Sequence, residues 1–286
     1  MLTCIDIIGG KMCNQSNVVT NTVSYWKLDE LADIIDFFEN VIAEKVNQGM
    51  QTAWDYDNLM VFAASKTIVT AREILCLAKA GYPNGAFSLV RNLYEQLIAL
   101  LFLHAHKASP DFLDYVEDYH LDFDWRQNKY LLFCAENFTK DTVELAKLKA
   151  ERYRIKAKAQ HTVEGDYWWA GYGSFNKLAM AAIDLESDPT MHNFLNTLHM
   201  RYKEACTLLH ASSLGNQYSI GVAPDYFGVD TSPKPNALGH PLLFFVETIM
   251  GIIAIISEDF GLKILSGQRP LKERLVDLER YYYSVL

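Results

Sequence analysis

NGAFSLVRNLYEQLIALLFLHAH, residues 84–106, decides the fold. From Ala80 through Leu103 only Arg91 and Glu95 carry charge, four residues apart in an apolar or neutral run. A solvated helix face normally carries several lysines and glutamates, so this run reads as a helix buried on most sides. Burying charge is costly unless it is paired and hydrogen-bonded. Something must satisfy the pair, either another part of the fold or a ligand.

Helical spacing continues outward in both directions. Upstream, Leu31, Ile34, Ile35, Phe38, Val41, Ile42 and Val46 recur at i, i+3, i+4 spacing and predict a helix over 27–47. A second helix is expected over 56–80, closed by Gly81-Tyr82-Pro83, since glycine suits a helix C-terminus and proline cannot continue one. Downstream, helices are expected over 110–136, 141–160, 174–185, 190–211, 241–265 and 270–283. Residues 212–239, rich in Gly, Asn, Ser and Pro, read as an irregular connection, and such long loops are often functional. No βαβ alternation or repeat emerges. The expected architecture is all-α: an N-terminal extension over 1–22, then a single multi-helix bundle of about eight or nine helices over 23–286.

Composition bounds the function classes. The chain has 286 residues, half hydrophobic and 21% charged, as in ordinary globular proteins. A net charge of −9 disfavours nonspecific binding to nucleic acid or anionic membrane, although a local basic patch can overrule the global sign. Cys4, Cys13, Cys76, Cys134 and Cys206 are scattered and form no CxxC, which argues for reduced thiols in the cytoplasm rather than a disulfide framework. The first residues lack the basic start and apolar core of a signal peptide. LLFFVETIMGIIAII, residues 242–256, falls short of a membrane span and is interrupted by Glu247, so it reads as a core helix.

Several constellations could carry chemistry. On a wheel of ~100° per residue, Asn84, Ser88, Arg91, Asn92, Glu95, Gln96 and His106 share one side of the central helix. This stripe is polar yet mostly uncharged, which suits an interior seam. Arg91 offers a planar fork for carboxylate or phosphate, and Glu95 would orient it; the plainer alternative is an ion pair that fixes helix register. His192, His199 and His210 share one side of a later helix but lack the i, i+4 spacing that brings two imidazoles to one metal. His210, in TLLHASSLG, ends that helix, where the dipole favours a protonated imidazole, so it is either a proton donor or phosphate partner or simply a favourable terminal residue.

Glu117 and His120 form one ExxH pair, but a di-metal bundle requires a second, so Asp114, Asp118, Asp122 and Asp124 read as a solvated acidic face. Lys147, Lys149, Arg152, Arg154, Lys156 and Lys158 make a basic exception that would suit phosphates or, more plainly, a solvated face. Arg154 and His161 satisfy the Arg-x4-6-His spacing of HEPN ribonucleases formally, with a poor local match. Trp168 and Trp169, in GDYWWAGYGS, are expected to anchor their loop onto the bundle. The sequence holds no P-loop, GxGxxG, GxSxG or HExxH, and no cofactor is expected.

Three separated pieces, AKAGYPNGAFSLVRNLYEQLIALLFL, WWAGYGSFNKLA and RYKEACTLLHASSLGN, together resemble a bacterial domain-of-unknown-function family, number five-six-seven-seven. The resemblance covers residues 63–216 and rests on Arg91 with Glu95, Trp169 with Gly171, and Tyr202 with His210. Thr207 stands where that family usually has serine, so the hydroxyl is kept. The resemblance implies a common site built from Arg91, Glu95 and His210. A further likeness to HEPN-like helical domains is fold-level analogy. The expected function is therefore an anion-binding polar pocket, with metal-independent phosphodiester (RNA) cleavage of HEPN type in defence as its chemistry. The alternative is a non-catalytic interaction or homo-oligomerisation module, with Tyr281, Tyr282 and Tyr283 contributing to its interface.

Overall fold

The computed structural model describes residues 25–47, 55–209, 220–223, 226–229, 234–261 and 271–286. The proposed N-terminal extension, Cys4, Cys13 and His210 lie outside the described residues. Among the described residues nine α-helices follow the expected order: α1 (Leu28–Asn47), α2 (Tyr56–Lys79), α3 (Pro83–Ala105), α4 (Phe112–Cys134), α5 (Thr142–Lys158), α6 (Phe175–Asp184), α7 (Pro189–Leu209), α8 (Gly239–Asp259) and α9 (Leu271–Val285). The architecture is all-α.

Local chemistry sets the helix boundaries. Asp55 accepts from the Asn58 N–H at 2.9 Å, and Asp141 accepts from the Val143 and Glu144 N–H groups, so both satisfy donors that a first turn leaves free. At the α2–α3 turn, Gly81 takes φ +79°. There the Gly81 N–H reaches the Ala78 carbonyl and the Tyr82 N–H reaches the Leu77 carbonyl, each at 2.9 Å. These paired bonds close a Schellman motif, and Pro83 then opens α3 with its fixed φ. One difference lies in the long connection. Ile220–Ala223 (β1) and Tyr226–Val229 (β2) pair antiparallel, Ile220 opposite Val229 and Val222 opposite Phe227. The β-branched and aromatic residues within that Gly- and Pro-rich segment favour a short ladder over coil.

Helix α3 is the spine. It packs against α8, α2, α6 and α7, while α1 covers α2, α9 covers α8, and α5 leans on α4. Its buried residues include Val90, Leu93, Tyr94, Leu97, Ile98, Leu100, Phe102 and Leu103. Helix α8 buries Leu242 through Ile249 without a break. At about 1.5–3 kcal/mol per fully buried large apolar side chain, this α3–α8 contact is a dominant source of stability. Both helices are long and apolar enough to cross a membrane, yet 67% and 78% of their most apolar windows are already covered by the rest of the fold. Glu247 therefore interrupts a core helix. Its carboxylate is buried and paired with Arg201 of α7 at 2.8 Å.

Of the three C-terminal tyrosines only Tyr282 is buried, while Tyr281 is half-buried and Tyr283 is 51% exposed, and all three hydroxyls are engaged within the chain. The buried Tyr282 hydroxyl donates to the Trp26 carbonyl at 2.7 Å, Tyr281 donates to the Tyr25 carbonyl, and Tyr283 donates to Glu247 at 2.9 Å. They fasten α9 to the start of the described chain and to the core.

Candidate functional site

Arg91 and Glu95 do lie one turn apart on α3, but they are not sunk into the bundle. Their side chains keep 29% and 28% exposure, and Arg91 Nε stands 3.4 Å from Glu95 Oε1. The neighbouring stripe explains this. Asn84, Ser88 and Asn92 are exposed, and only Gln96 is buried. Asn92, Glu95 and Gln96 line a cleft of about 1170 Å³ between α2, α3 and α4, so solvent reaches the residues that the sequence placed in an interior seam. Uncharged polar side chains suit such a rim as well as they suit a buried seam.

Glu95 is held better than Arg91. Its Oε1 accepts from the Tyr202 hydroxyl at 2.9 Å, and its Oε2 accepts from Tyr167 at 3.4 Å. Burial, with the Glu95 carboxylate close by, pushes both phenols above their ordinary pKa, so both stay protonated donors. Burial works against the Arg91 charge, but Cys206, Tyr202 and Glu95 outweigh it and raise its pKa further. The guanidinium also lies 5.9 Å from the Tyr202 ring centroid, a cation–π distance. The arrangement is a permanently charged fork with an outward edge, fixed beside a carboxylate that two phenols lock in place.

Beneath it lies a buried hydrogen-bond relay. The Tyr94 hydroxyl meets His199 Nδ1 at 3.1 Å, and His199 Nε2 meets Asn176 Oδ1 at 3.1 Å. The amide oxygen can only accept, so Nε2 carries the proton and Nδ1 accepts from the phenol. Burial lowers the His199 pKa, with Lys203 adding to it, which keeps the ring neutral and consistent with that tautomer. His199 and Tyr94 both pack on Tyr202, at 5.9 and 5.1 Å between ring centroids, so the relay sets the position of the phenol that grips Glu95. His192 instead bonds the Ile183 carbonyl at 3.2 Å.

The third expected site residue, His210, follows directly on the last residue of α7, Leu209, and lies outside the described residues. Tyr202 and Cys206, on the two preceding turns of α7, face Arg91. Tyr202 stood out in sequence only through the family resemblance, and Tyr167 did not stand out at all. Their role needs a carboxylate on a helix more than a hundred residues away for Tyr202, and a loop turn for Tyr167.

The acidic run of α4 is only partly solvated, which corrects its reading. Asp118 is fully buried and accepts from the Gln160 N–H at 3.0 Å, the His161 N–H at 2.8 Å and His161 Nδ1 at 2.8 Å. It thereby pins the chain where α5 ends, and the His161 ring stacks on Tyr115. Asp122 is also buried and pairs with Arg126 at 2.6 Å. Burial nevertheless raises its pKa, against the pull of Arg126. Arg154 pairs with Glu151 on the exposed side of α5, so Arg154 and His161 serve different partners. Glu117 and His120 line the cleft, and among the described residues no three His, Cys, Asp or Glu side chains converge to hold a metal.

The WWAG turn behaves as expected. Trp168 and Trp169 are buried in a 3-10 turn that Gly171 closes at φ +79°, and the turn delivers Tyr167 to Glu95. Gly165, before it, also has φ +79°, and a Cβ there would stand 2.5 Å from the Gly173 backbone. Only glycine fits such a crossing.

Neither a curated protein nor a solved structure matches the chain. A family model described as "Family of unknown function (DUF5677)" matches residues 57–226, which span α2 to the β-hairpin and contain Arg91, Glu95, the WWAG turn and Tyr202, and the chain belongs to that family.

Proposed function

We propose that the Arg91–Glu95–Tyr202 cluster binds a phosphate group and that the protein cleaves RNA by metal-independent, HEPN-type phosphodiester chemistry in a defence setting. The observation that carries this reading is a part-exposed arginine one turn from Glu95, a carboxylate that lines the cleft and that two phenols already hold. A fork held in this way needs little reorganisation to meet charge developing on a phosphoryl oxygen. His210, the residue after α7, is assigned the proton transfer, and its terminal position favours the protonated form. Phosphoryl transfer of this kind is largely a matter of positioning and charge stabilisation, which this residue set can supply.

The test compares wild type with Arg91→Lys and His210→Ala on a labelled RNA, with melting temperatures alongside. The expected result is a rate loss of about 10²–10³-fold in each variant with little change in melting temperature. Equal cleavage by wild type and variants, or none by wild type, overturns the reading.

A second reading, a non-catalytic interaction module, is favoured by large exposed apolar side chains on α4 and the turn after it, Phe123, Tyr130, Phe133 and Phe138. It predicts that Arg91→Lys leaves function unchanged while substitution of those rings abolishes it.

A further inference from the structure

The basic exception of the sequence has a definite geometry. Helix α5 carries six cations against two carboxylates in a chain of net charge −9. It packs on α4 and the π-helical turn Ala135–Thr139 and buries only Ile155. The side of α5 that faces α4 includes Leu148, Arg152 and Ile155. On the wheel the two carboxylates, Glu144 and Glu151, fall on one flank with Lys147, Arg154 and Lys158. The other flank, Lys149, Arg152, Tyr153 and Lys156, runs at i, i+3, i+4, i+7 and holds no acid.

That acid-free flank meets α4 at one ring. Arg152 Cζ lies 4.4 Å from the Trp125 ring centroid, and Lys156 Nζ lies 5.6 Å from it. Trp125 also lines a groove of about 390 Å³ together with Arg126, Lys129, Tyr130, Phe133 and Asp166. Its acids are already engaged. Asp122 pairs with Arg126, and Asp166 stands 3.9 Å from Lys129. Tyr130 and Phe133 are 66% and 56% exposed, and Phe138, 73% exposed, packs edge-on against Phe133. Leaving such rings in water is unfavourable, and stacked bases would cover them.

We infer that the α4–α5 face, from the groove at Trp125 to the Lys149–Lys156 flank, is a docking surface for a single-stranded polynucleotide. Lys149, Arg152 and Lys156 of the acid-free flank track the phosphates, and exposed ring faces take the bases, the combination that sequence-tolerant strand binding uses. A duplex offers no free base faces, and an acidic protein would leave the rings uncovered. The surface is continuous with the candidate site. Arg126 lines both the groove and the larger cleft, and it lies 5.9 Å from the Tyr167 ring, whose hydroxyl meets Glu95. The inference rests on the proposed RNA reading for its biological purpose, but binding is measured apart from cleavage.

The test is fluorescence anisotropy of the whole protein with a labelled single-stranded RNA of about 20 nucleotides, the matching DNA strand and the RNA duplex, over a salt series. Variants are Lys129→Glu/Lys149→Glu/Lys156→Glu and Tyr130→Ala/Phe133→Ala, all at exposed positions, with far-ultraviolet circular dichroism to confirm folding. The expected result is single-strand binding that weakens about tenfold or more in the charge-reversed variant, with the salt slope reduced by about 2. The ring variant weakens single-strand binding at an unchanged salt slope. Equal single-strand binding by folded variants and wild type, or preference for the duplex, overturns the inference, and so does capture of a protein by these rings with no strand bound. Arg91→Lys separates the two proposals: strand binding kept while cleavage is absent even in wild type sinks the catalytic reading alone, whereas cleavage kept by the charge-reversed variant at unchanged affinity sinks this one alone.

Discussion

At Glu247 a carboxylate sits in the most apolar helix of the chain, where desolvation raises its pKa and Arg201 and Tyr283 oppose that rise. Arg201 pairs with it through Nε at 2.8 Å and donates from Nη2 to the Tyr283 hydroxyl at 2.7 Å. The three side chains tie α7, α8 and α9 together. Removing one member of a buried pair strands the other, at a cost of roughly 3–5 kcal/mol. Arg201→Ala should therefore lower the denaturation free energy by about that amount, while Glu247→Gln, which keeps an acceptor for Tyr283, should cost far less. Equal losses in urea titrations of the two variants would show that the charge, not the hydrogen bonding that glutamine keeps, carries the stabilisation.

Asp259 gives a pH signature at the same scale. Burial would raise its pKa, but bonds from His104 at 2.9 Å, from Tyr56, and from Lys107 at 2.9 Å outweigh that and bring it down to about 2. His104 moves the other way, since the hydrogen bond to Asp259 raises it above 6.5 against the opposing effect of burial. The raised histidine stabilises the fold fully below its unfolded pKa of 6.5, and that stability is lost as pH rises through its folded pKa. The depressed aspartate stabilises above 3.8, and that stability is lost as pH falls toward about 2. Denaturation midpoints should thus decline above pH 6.5 in the wild type, and His104→Gln should flatten that decline and also shrink the acid limb, since His104 is one of the groups that hold the Asp259 pKa down.

At the scale of elements, what was legible follows from what generates each signal. The helices other than α5 were readable because a buried stripe imposes a 3.6-residue period on the chain itself, whereas α5 buries only Ile155. The acidic run of α4 was misread for a related reason. A carboxylate that accepts backbone N–H groups looks, in sequence, like one that faces water. The donors to Asp118 belong to residues 160 and 161, and spacing within α4 says nothing of them. The consequence is testable. Asp118→Ala leaves two part-buried N–H groups without their acceptor, so it should destabilise by about 1–3 kcal/mol and raise amide exchange between α5 and the WWAG turn. Exchange unchanged in that segment would mean that the stacked His161 ring alone fixes it. Among the candidate site residues, Arg91 and Glu95 stood out by charge in an apolar run. Tyr167 and Tyr202 did not, since a tyrosine in a core pattern reads the same whether or not its hydroxyl grips a carboxylate.

At the scale of the whole molecule, α8 faces α3 at Gly251, where an added Cβ would lie 3.0 Å from one Leu97 methyl and 3.1 Å from the other. These are ends of a flexible side chain, so Gly251→Ala should be nearly neutral, the crowding offset by about 1 kcal/mol of helix propensity. Gly251→Val should cost about 2 kcal/mol, because a branched side chain overpacks the spine. Thermal denaturation of the two variants checks this, and a neutral valine would mean the spine has slack. Charge is also arranged on this scale. The chain is acidic as a whole, yet α5 gathers its cations on a helix that packs on α4 and the turn after it.

The chain alone settled its class and its spine. Periodicity, capping residues and turn glycines act between near neighbours, and a run with two charges in twenty-four residues has to lie against other helices. Tertiary structure decided which polar groups meet. Asn92 and Gln96 of α3 line an open cleft, the acids of α4 are divided between water and backbone amides, and Glu95 faces two tyrosines from distant segments. Such pairings depend on how elements cross in space, and a linear pattern does not encode the partner that each polar atom finds.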